Sequence, residues 1–147
     1  MIYIILFIVF IVLDQLTKYW AVHVLSHMTT MPVIKGVFHF TYVENTGAAF
    51  GILQQRKVFL VAATAVILLL ILFYIYKKRP KYPLFLLSLA SVCAGAVGNL
   101  IDRVRLSYVI DFIDVRIIQF AVFNLADCFV VVGVILLAIC VLRGKTE

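Results

Sequence analysis

The sequence predicts an all-α membrane protein of four transmembrane helices, with a small β-rich extracytoplasmic segment between the first and second. Three observations carry this. Of the 147 residues, 65% are hydrophobic and only 14% charged, with a mean hydropathy of +1.16, whereas soluble domains carry about 25% charged residues. A soluble core of this size could not hide so much apolar surface. The apolar residues are gathered into runs near the length of about 20 residues, at about 1.5 Å each, that crosses the hydrocarbon of a bilayer. Finally, one polar stretch alternates with the period of a strand.

The first run, residues 1 to 13, is too short to span alone, and Asp14, Gln15 and Lys18 interrupt it before apolar character resumes. It lacks the basic start and small-residue cleavage site of a signal peptide, so one uncleaved helix is expected over about 2–22. Asp14 and Lys18, four apart, form an expected intrahelical pair, with Lys18 snorkelling and Tyr19 and Trp20 anchoring at the interface. In residues 23–57, Phe38, Phe40 and Tyr42 alternate with Val37, His39, Thr41 and Val43, which predicts a surface sheet with its aromatic face in the membrane interface.

Further helices are expected over about 58–76, 82–101 and 120–142. In the third, Ala90, Ala94 and Gly98 recur every four residues beside Ser91, Gly95 and Asn99, a pattern that lets helices approach closely. The fourth contains Asn124 and Asp127. Residues 1–147 therefore read as a single polytopic domain with outer segments 23–57 and 102–119. No linker or repeat interrupts it.

Charge orients the chain. Basic residues number seven on the presumed outer side and six inside, but the inner ones are packed into 77–81 and 143–145, next to helix ends. Such clusters mark cytoplasmic loops, so both termini are expected inside. The net charge of +6 forms no stripe with interleaved exposed aromatics, which argues against nucleic acid and for anionic lipid as partner. Cys93, Cys128 and Cys140 lie in apolar runs and read as buried reduced thiols. His23, His27 and His39 lack the companions a zinc site needs.

Acids at membrane depth are costly, and six of the seven (Asp14, Glu44, Asp102, Asp111, Asp114 and Asp127) fall at or near the outer boundary. A site is expected there. The densest constellation is GNLIDR (98–103), VIDFIDV (109–115) and FNLADC (123–128). On helices, Asn99 and Arg103 share a face, as do Asn124 and Asp127. Asp102, followed closely by Arg103 and Arg105, reads as an interfacial ion pair, and Asp114 is a candidate for pairing on spacing alone.

In these motifs the chain resembles the lipoprotein signal peptidases, or signal peptidase II, bacterial enzymes that remove the signal peptide of prolipoproteins. LDQLTK (13–18) and ENTGAAFG (44–51) also match in the family's order, so the resemblance covers nearly the whole chain. It implies an aspartyl endopeptidase of the bacterial cytoplasmic membrane that cuts before a diacylglyceryl-modified cysteine. Asp111 and Asp127 match the family's catalytic pair, and Asp14, Asn45, Asn99, Arg103 and Asn124 its other functional polar positions, taken as substrate-binding. Asp114 ranks behind Asp111 only through this match.

Two adjacent, partly desolvated carboxylates keep one proton between them, so one can act as base and the other as acid. No metal, cofactor or covalent intermediate is needed. The expected partners are a lipid-modified prolipoprotein and membrane lipid, with the enzyme as a monomer. The competing reading is a small proton-coupled transporter, which needs acids near the midplane rather than crowded toward one face. A structural subunit would leave the paired aspartates unexplained.

Overall fold

The computed structural model describes residues 1–48, 52–118 and 120–146. The order of elements is α1 (Ile2–Leu25), β1 (Met31–Ile34), β2 (Phe38–Asn45), α2 (Lys57–Lys78), α3 (Pro83–Leu106), β3 (Val109–Val115) and α4 (Leu125–Leu142). All four helices are long and apolar enough to cross a membrane. They carry large exposed hydrophobic side chains such as Ile8, Leu69 and Val134, as elements solvated by lipid do.

Helix α3 is the centre of the bundle. It buries Ser88, Ser91, Ala94, Gly95 and Gly98 among others, whereas α2 buries only Leu60. The small-residue spacing accounts for this. A Cβ on Gly95 would collide with the Ala126 carbonyl, and one on Gly98 would lie 2.5 Å from Asp14 Oδ2. At the far end Gly133 of α4 meets Val92 and Ser88 in the same way, so α3 and α4 run antiparallel in close contact.

Helix ends follow local chemistry. Pro83 opens α3 at its first position, where a missing N–H costs nothing. Arg79 and Ser107 close α2 and α3 in the left-handed conformation, each N–H reaching the carbonyl four residues back. Helix α4 begins at Leu125 rather than near 120 because Asn124 caps it. The residues before the cap run along β3 instead, Phe123 exchanging backbone hydrogen bonds with Ile113.

The sheet is larger than expected. Its order is β1-β2-β3, antiparallel throughout, and the third strand comes from the segment between α3 and α4 rather than from 23–57. A register shift between Phe40 and Val43 places Val43 opposite Asp111 and Asn45 opposite Val109. The aromatic face packs on the end of α1. Trp20 meets Phe40 and Phe112 edge-on at 5.2 and 6.2 Å, over a core of Ala21, Leu25, Ile110 and Phe112. Trp20 thus packs against the sheet.

Candidate active site

Strand β3 and the start of α4 bring Asp111 and Asp127 to one place. Asn124 spans them. Its side-chain Nδ2 donates to Asp111 Oδ1 at 2.6 Å, while its backbone N–H donates to Asp127 Oδ2 at 3.2 Å. The latter bond is half of a capping box, in which Asp127 N–H returns a bond to Asn124 Oδ1 at 2.9 Å. The need to satisfy the first N–H groups of α4 therefore fixes where Asp127 sits.

The remaining carboxylate oxygens also accept from amides. Asn45 Nδ2 donates to Asp111 Oδ2 at 2.9 Å and Asn99 Nδ2 to Asp127 Oδ1 at 2.7 Å. Each carboxylate is held at both oxygens by groups that do not ionise. Asp111 is 98% shielded from solvent, being 2% exposed. Burial, with the nearby charge of Asp127, raises its pKa to about 6 against the pull of the Asn45 and Asn124 hydrogen bonds.

A cavity of about 770 Å³ opens at the pair. Asn45, Asn99, Arg103, Asp111 and Asp127 form its polar end, while Phe120 and Val122, before α4, and Val130 and Val131, on it, line an apolar side. Arg103 Nη2 donates to the Gly47 carbonyl at 2.9 Å, tying the turn after β2 to the end of α3. Gly47 N–H in turn donates to Asn45 Oδ1, which aims the Asn45 amide at Asp111. Positions 49–51 of the ENTGAAFG motif lie outside the described residues.

Five of the seven residues matched to functional positions wall the cavity. Asp14 and Asn124 stand behind it, both 0% exposed. Asp14 Oδ1 accepts the Ala126 N–H at 2.9 Å and its Oδ2 meets Lys18 at 3.0 Å, so it fastens α1 to the first turn of α4. Asn124 is the cap of α4, not a residue on its face beside Asp127. Lys18 does not snorkel. It is 1% exposed and bridges Asp14 and Asp102, so the partner of Asp102 is Lys18 at 2.8 Å rather than a neighbouring arginine.

Asp114 is removed from the pair by strand geometry. Three residues along a strand reverses the face, and Asp114 accepts from Thr41 at 2.7 Å and from Arg116 Nε at 2.8 Å. Burial works to raise its pKa, but these hydrogen bonds and the Arg116 charge hold it below the ordinary carboxylate value. His39 is likewise committed, to Thr30 and the Gly36 N–H. Cys93 and Cys140 are buried, whereas Cys128 is half-buried and contributes to the cavity wall. Sequence reasoning missed that placement; its position next to Asp127 was the available signal.

The family model described as signal peptidase II matches residues 6–143. A lipoprotein signal peptidase of Caldanaerobacter subterraneus is 52% identical over 134 residues, covering 91% of this chain and 90% of the relative. One of Clostridioides difficile is 46% identical over 150 residues, covering 100% of this chain and 99% of the relative. A solved structure of a bacterial membrane enzyme superposes with a TM-score of 0.88 at 33% identity, covering 96% of this chain and 87% of that one. A membrane-embedded peptidase is the class that this fold and these relatives define. The chain belongs to the signal peptidase II family.

Proposed function

We propose that the chain is an aspartic endopeptidase that removes the signal peptide of prolipoproteins by cutting before a diacylglyceryl-modified cysteine. Family membership supports the prolipoprotein substrate. The observation that carries the aspartic mechanism is the pair Asp111 and Asp127, joined through Asn124 at the polar end of a cavity whose other side is apolar. The apolar side has the chemistry to take lipid chains, and Asn45 and Arg103 have donors for substrate backbone.

In this reading the pair shares one proton, and burial with the Asp127 charge raises the pKa of Asp111 to about 6. Asp127 accepts a proton from water as the oxygen attacks the scissile carbonyl. Protonated Asp111 polarises that carbonyl and gives its proton to the leaving amine as the C–N bond breaks, and the proton taken from water by Asp127 restores the singly protonated pair. The four amide and backbone donors hold both carboxylates in place. Arg103, which donates to the Gly47 carbonyl and lines the cavity, binds a substrate carbonyl.

Asp111 and Asp127 stand at the ends of α3 and α4 remote from the basic 77–81 loop. With that loop and both termini in the cytoplasm, the site faces outward, which fits a substrate whose signal peptide has inserted from within. The enzyme acts as a monomer, since one chain supplies both aspartates. No observation favours a transporter, because the buried acids gather at one end of the bundle.

The test is incubation of purified protein with a precursor carrying or lacking the diacylglyceryl group. A shortened product from the modified precursor alone is expected. Equal cleavage of both forms would contradict the assigned substrate, and no cleavage of either would contradict the activity.

A further inference from the structure

We propose that Lys18 is a positioning residue for the dyad, its ammonium fixing the Asn99 amide in the one orientation that donates to Asp127. The proposal rests on the reading of Asp111 and Asp127 as the catalytic pair, and adds a residue that never reaches the cavity. Lys18 has three N–H donors and meets three acceptors: Asp14 Oδ2 at 3.0 Å, Asp102 Oδ2 at 2.8 Å and Asn99 Oδ1 at 2.9 Å. An ammonium cannot accept, so the Asn99 atom facing it is the oxygen. The Asn99 nitrogen is thereby turned toward Asp127 Oδ1, at 2.7 Å.

The other two asparagines of the site show why a lysine is needed here. Each has its oxygen held by a group that can only donate, Asn45 by the Gly47 N–H and Asn124 by the Asp127 N–H. Asn99 lies inside α3, where backbone N–H groups are consumed by the helix itself. Its donors come from other elements, the charged one being the Lys18 ammonium of α1. Asn124 Nδ2 also reaches Asn99 Oδ1, at 3.0 Å, so the same oxygen collects the signal from both aspartates' supports. Without Lys18 the 3.0 Å bond from Asn124 Nδ2 is the donor left on Asn99 Oδ1, and the Asn99 amide is held less firmly toward the Asp127 carboxylate.

A plainer reading makes the cluster a staple only. Asp14 ties α1 to the Ala126 N–H of α4, Asp102 accepts the Ile110 N–H, and Gln15 bridges both carboxylates. The two readings part in what survives when the fold is kept. Lys18→Met alone strands two buried carboxylates, so the informative variant is Lys18→Met/Asp102→Asn, which removes one cation and one anion together.

Per folded molecule, this variant is expected to lose about 10- to 100-fold in kcat with KM within about twofold, the scale of a misaligned general base. Asp102→Asn alone keeps Lys18 and is expected to stay within about threefold of wild type. Placed in an Asn99→Ala background, Lys18→Met/Asp102→Asn should cost less than about threefold more, since its effect travels through Asn99. Lys18→Gln/Asp102→Asn returns an amide donor to the position and should recover most of the loss; it also serves where the Met variant does not fold. Unchanged kcat, losses that multiply with Asn99→Ala, or equal losses for Met and Gln would each overturn the role of Lys18. Cleavage by Asp127→Asn at the wild-type rate is a different failure, since it removes the dyad reading itself.

Discussion

Asp111 carries the clearest pH signature of any single residue. Its pKa of about 6, raised by burial and the Asp127 charge, predicts that kcat/KM of the free enzyme falls as pH rises through about 6. The corresponding limb of kcat should lie higher, because a bound substrate excludes water and further disfavours the anion. Coincident limbs would contradict this. The same shift has a stability consequence. The folded state holds the Asp111 proton more tightly than the unfolded chain with its value of 3.8, so this group's contribution falls as pH rises from 3.8 to about 6. Asp111→Asn, neutral at every pH, should then melt no lower than wild type at pH 7 by calorimetry, while losing activity. Asp114 has the opposite sign, its lowered value adding stability that is lost in acid, and Asp114→Asn should retain cleavage. Of the residues in the site, those in short motifs were legible from sequence. The partner of Asp102 was not, because Lys18 lies 84 positions away along the chain, on a different helix.

At the level of elements, the close contact of α3 with α4 sets the distance between Asn99 and Asp127. Gly95→Val would drive a branched side chain into the Ala126 carbonyl and Val130 at the first turns of α4. The expected result is a loss of about 1 to 3 kcal/mol and a fall in kcat, read by thermal melting and by cleavage rate, whereas Gly144→Val strains a positive-φ position near the C-terminus, remote from the site, and leaves kcat unaltered. The four-residue spacing made this packing readable in advance. Strand β3 was not readable, because Val109–Val115 is buried on both faces and its acids are spaced by three, which hides any alternation. The start of α4 was misplaced for a related reason. Residues 120–123 are as apolar as the helix they precede, so hydropathy runs through the boundary, and only the Asn124 and Asp127 pairing marks it.

On the scale of the whole molecule, the proposed enzyme faces outward and uses water and two aspartates. Orientation is tested by single cysteines in a variant with Cys93, Cys128 and Cys140 replaced, which should itself retain most activity because no thiol enters the mechanism. Lys35→Cys, in the exposed turn between β1 and β2, should label from outside only, and Lys81→Cys from the cytoplasm only. The reverse pattern would invert the topology. The overall architecture was legible because bilayer thickness dictates run length, while the cavity was not, since its walls come from β2, α3, β3 and α4 together. The most direct test of the central claim is cleavage of a diacylglyceryl-modified precursor by purified Asp111→Asn, Asp127→Asn and the double variant. An amide preserves shape but can neither take the proton of water nor return one to the leaving amine. Each single variant should fall by at least about 10² to 10⁴, with the double little worse than either, because members of one catalytic unit are not additive. Cleavage near the wild-type rate by either single variant, in a preparation free of native enzyme, would contradict the account.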